Sequence, residues 1–341
     1  MTDTLPRQAP AMPVWLAAQL RLLRQQPGHA LLLQGPSGLG QYRLALELAR
    51  ASLCENPGPD GACTVCPSCH AIDVRTHADL CVLMPETELL ARDWPLGDKA
   101  QAELDEKKRK PSREIRVDAM REAIEFSQRT SGRGRGKVVL IYPADQMNGV
   151  TANALLKTLE EPPGDVRFFL ATESAHQLLP TIRSRCISHA MAWPTPDAAR
   201  QWLIDQGVPA DQVDTLLAAA GGRPDDALAL LQGGRSALQW QDFPQAMARG
   251  DVAFVKDWAV PELLDALQKL CHDALAQQQG AAPRFFSEKA LVPARKAGLR
   301  PLSEWSVALR ATHRTADHPF QPGLFQEALV EQAKIALHSA R

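Results

Sequence analysis

Four cysteines crowd into one short stretch: Cys54, Cys63, Cys66 and Cys69, with the spacing C-x8-C-x2-C-x2-C. Thiolates are soft ligands, and two C-x2-C steps bring sulfurs round a single ion, so the pattern suits tetrahedral zinc. Four protein ligands would close such a site and make it structural. A ferredoxin-type iron–sulfur run would want a further cysteine at position 73, which is Asp73. A redox Cys-x-x-Cys pair and a set of free surface thiols are the other readings. His70, His77 and Cys81 lie nearby as spare ligands, so the place of Cys54 as the fourth ligand stays open.

The second candidate is the glycine-rich segment Gly35-Pro-Ser-Gly-Leu-Gly40-Gln41-Tyr42. In a phosphate loop of the form Gly-x-x-x-x-Gly-Lys-Ser/Thr, backbone N–H groups cradle phosphates. The lysine neutralises the terminal phosphate, and the hydroxyl holds magnesium. Gly35, Gly38 and Gly40 are in place here, but Gln41 stands at the lysine position and Tyr42 at the hydroxyl position. Gln41 supplies no positive charge, and Tyr42 is too bulky for the metal role. The acids that should end a second apolar strand and hold magnesium are lost as well. Val138-Val-Leu-Ile141 runs into Tyr142-Pro143, and Asp145 comes three positions late. Two losses of the same chemistry argue against hydrolysis and predict no functional ATP site. An ATPase with a divergent loop is the alternative.

These residues need elements to hold them. His29–Gln34, Lys137–Tyr142 and Val166–Thr172 are short apolar runs that read as buried parallel strands. Between them lie amphipathic helices, one with Leu44, Leu48 and Ala51 on a face and one over Thr151–Glu160, stopped by Pro162 and Pro163. Strands separated by helices predict a parallel α/β layer. Residues 86–113 interrupt it and read as a charged surface insertion ending in Lys107-Lys-Arg-Lys110, a solvated helix end or, less simply, a phosphate contact. Ser131-Gly-Arg-Gly-Arg-Gly-Lys137 reads as a flexible loop carrying three cations, of no stated direction. Beyond Ala192-Trp-Pro-Thr-Pro196 the strand signal ends. Three short helices are expected over 197–232, a linker at Gln232-Gly-Gly-Arg235, and a helical bundle over 236–341. Cys186 and Cys271 stand apart and read as buried apolar residues.

The 341 residues predict two or three domains, and 45% hydrophobic against 23% charged residues is the balance of a packed globular chain. With 38 Lys+Arg and 39 Asp+Glu the net charge is −1, so a nucleic-acid partner would have to be met by local basic patches. The amino terminus lacks a basic and apolar leader, and no run approaches the ~18 apolar residues of a membrane span. A cytoplasmic protein is expected. Aromatic residues make up only 5%, which favours helices over a β-sandwich.

Asn153-Ala-Leu-Leu-Lys-Thr-Leu-Glu-Glu-Pro-Pro163, Phe168-Phe-Leu-Ala-Thr172 and Ser184-Arg-Cys186 together resemble the core of bacterial clamp-loader subunits. These are AAA+ proteins that open a ring-shaped clamp and place it on primed DNA. The resemblance spans residues 14–232 by motif. It implies a P-loop-type α/β AAA+ domain over 1–192 with a zinc module at 54–69, a small helical lid at 193–233, and an all-α collar at 234–341 for oligomerisation. The broken phosphate loop, the missing acids and Asp225 before Asp226-Ala-Leu228, where active members carry a sensor arginine, resemble the non-hydrolysing delta-prime branch. That resemblance implies partners: gamma/tau and delta subunits in a hetero-oligomeric ring, primed DNA through the complex, and the sliding clamp. It also implies a role for Arg185 as an arginine finger lent in trans to a neighbouring ATPase site; a salt bridge inside its own domain is the other reading of Arg185, and Arg183 is expected to make that bridge instead. A structural zinc at the four cysteines agrees with the family's inserted module.

Overall fold

The computed structural model describes residues 12–313 and 321–340, and the chain falls into two compact units, Met1–Pro194 and Thr195–Arg341. The first is built on a five-stranded sheet: β1 (Ala30–Gln34), β2 (Leu80–Leu83), β3 (Lys137–Ile141), β4 (Val166–Thr172) and β5 (Ile187–Ala190), in the order β2-β3-β4-β1-β5. Every pairing is parallel, with Leu32 opposite Leu170 and Val139 opposite Phe168. The three inner strands are the ones the apolar runs foretold. Leu32, Leu33, Val139, Leu140 and Leu170 are fully buried, as strands covered on both faces require.

The helices of this unit are α1 (Val14–Leu23), α2 (Gln41–Leu53), α3 (Pro67–Asp73), α4 (Glu86–Ala91), α5 (Asp98–Asp105), α6 (Val117–Gln128), α7 (Gly149–Glu160) and α8 (Pro180–Arg183). The step from β1 to β2 passes over β4 and β3 in the sheet, so the carboxyl end of β1 is a topological switch point. In open α/β sheets that is where ligands are bound, and it is where the glycine loop sits.

Three features differ from their sequence reading. The 86–113 segment is tied down on its inner side: Trp94 is buried, and Arg109 gives two hydrogen bonds to the buried Glu86 and one to Glu103. The basic tetrad is thus partly a structural device, since Arg109 turns inward and Lys108 pairs with Glu106. The 131–137 loop is anchored by Asp79, which is 1% exposed. Its carboxylate accepts from the N–H groups of Gly132 and Arg133 at 2.8 and 2.9 Å, from Ser131 Oγ at 3.1 Å and from Lys137 Nζ at 3.4 Å. Gly136 closes this turn at a φ of +75°, and a Cβ there would lie 2.5 Å from the Asp165 carbonyl. Gln232–Arg235 is bonded into its unit too, with Arg235 reaching Glu262 at 2.6 and 3.0 Å.

The second unit holds α9 (Pro196–Asp205), α10 (Ala210–Ala219), α11 (Pro224–Gln232), α12 (Ala237–Arg249), α13 (Val260–Gln278), α14 (Leu299–His313) and α15 (Pro322–His338). No strand lies among its described residues. Its core gathers the scarce aromatics: Trp240 stacks on Phe286 with centroids 4.8 Å apart, and Phe243 on Trp258 at 5.2 Å. Asp273, fully buried, accepts the N–H groups of Arg284, Phe285 and Phe286 and so fixes the chain after α13. Among the described residues no helix is long and apolar enough to cross a membrane.

Candidate functional site

At the end of β1 the loop turns through two left-handed glycines, Gly38 at φ +75° and Gly40 at φ +88°, a conformation that only glycine adopts without strain. Gln41 opens α2 and is 3% exposed. Its side-chain amide donates to the loop's own carbonyls, Gly35 O at 2.8 Å and Pro36 O at 2.6 Å. The side chain at the lysine position is therefore spent on the loop itself and does not point at a phosphate.

Tyr42 and Tyr142 stand where an intact site has its magnesium-holding hydroxyl and its strand-end acid. Here they touch: their ring centroids are 5.3 Å apart. Trp94 Nε1 donates to Tyr42 Oη at 2.7 Å, and Tyr142 Oη donates to Glu173 Oε1 at 3.0 Å. Arg92 lies over both phenol rings, 5.1 and 5.2 Å from their centroids, and Arg75 lies over Trp94 at 4.5 Å. Burial pushes both phenols above their ordinary pKa, and at Tyr142 the Glu173 carboxylate adds to it. Both rings stay neutral and offer no anionic ligand. Asp145, the late acid, accepts from Thr172 Oγ1 and from the Glu173 N–H. Sequence reasoning marked positions 42 and 142 but missed Trp94 and Arg92. Their only signal was an aromatic and a cation within a segment that reads as a surface insertion.

The four cysteines come together, with one sulfur of each lying within 4.8 Å of the others. A zinc ion at ~2.3 Å from four sulfurs would hold them about 3.8 Å apart, and Cys54 Sγ and Cys66 Sγ are 3.8 Å apart. Cys54 follows α2 directly, and Cys66 caps α3 by accepting the Cys69 N–H at 3.4 Å. The Cys63 N–H donates to Cys54 Sγ at 3.2 Å. Such bonds favour thiolates: burial alone would push Cys66 up, but the N–H groups of Cys69 and Glu55 together with the Cys69 and Cys63 thiols outweigh it and bring it down to about 6. Burial raises Cys69. All four residues thus fit a closed, soft-ligand metal site.

The spare ligands are elsewhere. His70 is exposed, His77 accepts the Asp79 N–H at Nδ1, and Cys81 sits within β2 with burial pushing it up to about 12. The cluster is joined to the rest of its unit by polar ties. Arg50 of α2 pairs with Asp73 of α3 at 2.6 Å, and Glu55 accepts from Ser68 Oγ and Arg133 at 2.9 and 3.0 Å. Two of the three cations of the 131–137 loop, Arg133 and Lys137, are thereby engaged inside the chain. Cys186 and Cys271 are packed in apolar surroundings, and burial raises each to about 12.

Arg185 lies on the turn between α8 and β5. Its Nε donates to Glu160 Oε1 at 2.8 Å, its Nη2 donates to the same oxygen, and its Nη1 donates to the Thr181 carbonyl at 2.8 Å. The salt bridge expected of Arg183 is made by Arg185 instead, while Arg183 is exposed at the end of α8. In the second unit Asp225 precedes Asp226, and Asp226 pairs with Arg223 at 2.6 Å.

Residues 16–193 match the protein family described as DNA polymerase III, delta subunit. The chain is 40% identical over 203 residues to DNA polymerase III subunit delta' of Pseudomonas aeruginosa, a stretch that covers 59% of this chain and 55% of that protein. It thus spans little more than half the length of that relative. To subunit delta' of Escherichia coli it is 36% identical over 268 residues, covering 74% of this chain and 72% of that protein. A DNA polymerase III gamma subunit-related protein from Thermotoga maritima aligns at a TM-score of 0.48 and 16% identity, over 95% of this chain and 100% of that one. That looser likeness carries no functional weight. The chain belongs to the delta-prime family of DNA polymerase III subunits.

Proposed function

We propose that this chain works in the cytoplasm as the non-hydrolysing subunit of a clamp loader, in a hetero-oligomeric ring with gamma/tau and delta subunits. The ring opens the sliding clamp and sets it on primed DNA. The chain lends Arg185 to the ATP site of an adjoining gamma/tau subunit and turns over no ATP itself. Residues 1–192 act as the AAA+ domain, 193–233 as its lid and 234–341 as the collar through which the ring assembles. One zinc ion at Cys54, Cys63, Cys66 and Cys69 holds the 54–69 module together.

The observation that carries this reading is the contact of Tyr42 with Tyr142. Both positions that would place magnesium are occupied by neutral rings packed on each other, so neither metal nor attacking water has a holder. A chain without its own hydrolysis can still serve a neighbour's. Guanidinium is always charged, and its planar fork matches phosphate oxygens two at a time. An arginine supplied in trans raises GTPase rates by roughly 10³–10⁵, and a smaller factor is expected in a ring whose other members also carry arginines.

Two measurements test the reading. The isolated chain with magnesium and ATP should show no turnover above background; turnover abolished by a Gly40 substitution would overturn it. Arg185→Ala should leave the chain folded, since exposed pairs contribute only about 0–1 kcal/mol, and able to join the ring. DNA-stimulated hydrolysis and clamp loading by the ring should fall, and unmodified rates would remove Arg185 from this role.

A further inference from the structure

Arg185 is held by its own chain before any neighbour arrives. Glu160 is the last residue of α7, and Thr181 belongs to α8, so the guanidinium is gripped from two elements. Both are fixed in one apolar cluster: Leu155 and Leu159 of α7, with Leu178 and Ile182 at α8, are at most 4% exposed. The carbonyl end of α7 adds partial negative charge, which favours a cation at that spot.

A guanidinium has five N–H bonds in one plane. Glu160 takes the edge formed by Nε and Nη2, and the Thr181 carbonyl takes one N–H of Nη1. The other N–H of Nη1 is within 3.5 Å of Ser184 Oγ, one N–H of Nη2 remains, and the side chain is 30% exposed. The pair therefore fixes the inner edge of the fork and leaves a donor at its tip.

Resting on the reading of Arg185 as a lent residue, we propose that Glu160 is its positioning residue. It holds the guanidinium fork at the angle needed to meet the terminal phosphate of the nucleotide in the adjoining subunit, and it stays bonded to Arg185 throughout. An unheld arginine loses much of its rotamer freedom when it is immobilised against a phosphate. With Glu160 in place that loss is incurred on folding, and the transition state meets a group already set. The opposite role, a carboxylate that competes with phosphate for Arg185, predicts an effect of opposite sign.

The test uses the full chain in a ring reconstituted with gamma/tau and delta subunits, reading kcat and KM for DNA-stimulated ATP hydrolysis. Glu160→Ala should lower kcat by about tenfold, well short of the ~10²-fold that a 1 Å misplacement can cost, with KM little changed. Glu160→Gln should restore most of the rate, because its amide oxygen still accepts from Nε and Nη2. In an Arg185→Ala background, Glu160→Ala should have no further effect. A slow Arg185→Ala ring with an unmodified or faster Glu160→Ala ring would overturn this proposal alone. An Arg185→Ala ring at full rate would remove the reading on which it rests. Should Glu160→Ala fail to assemble, Glu160→Asp decides. Its carboxylate is drawn back by one methylene and must lower kcat, and an unmodified kcat overturns the proposal.

Discussion

A lysine placed at position 41 could reach a phosphate, yet it would find no partner for the metal. Tyr42 and Tyr142 would still fill both magnesium positions, and Pro143 would still stand where a second acid belongs. Gln41→Lys should therefore remain without turnover in a coupled ATPase assay, and hydrolysis above background would show that magnesium is placed by other groups. The losses at 41, 42 and 142 were legible because a motif is a list of positions. The contact between the two tyrosines was not, because it depends on how β1 and β3 are spaced by β4 in the sheet. Asp79 is a second case at this scale. Burial opposes its charge, but the N–H groups of Gly132 and Arg133, with Ser131 and Lys137, hold its pKa below the ordinary value. A carboxyl depressed on folding contributes stability above its unfolded pKa of about 3.9 and loses it as pH falls through the folded value. Asp79→Asn should cost about 3 kcal/mol at pH 7, the lower end for a broken buried pair, and flatten the acid limb. Thermal unfolding midpoints between pH 7 and pH 3 read both effects, and an unchanged acid limb would count against this account.

Among elements, the inner strands announced themselves and the edges did not. β3 is buried at every residue, whereas β5 is mostly exposed and broken by Ser188 and His189, and β2, though apolar from Leu80 to Leu83, is only four residues long and partly covered. The 86–113 segment misled for a related reason. Its composition is that of a surface, and the few residues that turn inward find partners far off in sequence, Trp94 at Tyr42 and Arg109 at Glu86. The Cys63, Cys66 and Cys69 run was legible as a metal module because metal spacing is local, but the place of Cys54 beside them and the module's ties were not. Structural zinc couples ion binding to folding. Chelation should raise amide exchange over residues 54–80 first, then over 131–136 through the Glu55–Arg133 bond, while α13 keeps its protection. Hydrogen-exchange mass spectrometry, with metal analysis finding one zinc per chain, checks this. Simultaneous loss of protection everywhere would mean that the module is no separate element.

Taken whole, the chain could be read as α/β followed by helices, since the strand signal stops at the Ala192-Trp-Pro boundary. The core of the helical unit could not be read. A composition poor in aromatics hides the fact that Trp240, Phe243, Trp258 and Phe286 stack on one another. The cleft at the end of β1 has a wider consequence for the molecule. Two phenol rings, an indole and a guanidinium pack together there, all of them part of the chain, so on the proposed reading its shape is set once at folding. If the chain holds no nucleotide, as proposed, neither the ratio of ATP to ADP nor the supply of free magnesium enters that shape. The unfolding midpoint should accordingly be the same with magnesium–ATP, with magnesium–ADP or with neither, and a rise of several degrees with one nucleotide would contradict it. On the proposed reading such a protein has no gauge of a cell's energy charge, and whatever it knows of fuel would reach it second-hand, from neighbours that hold nucleotide.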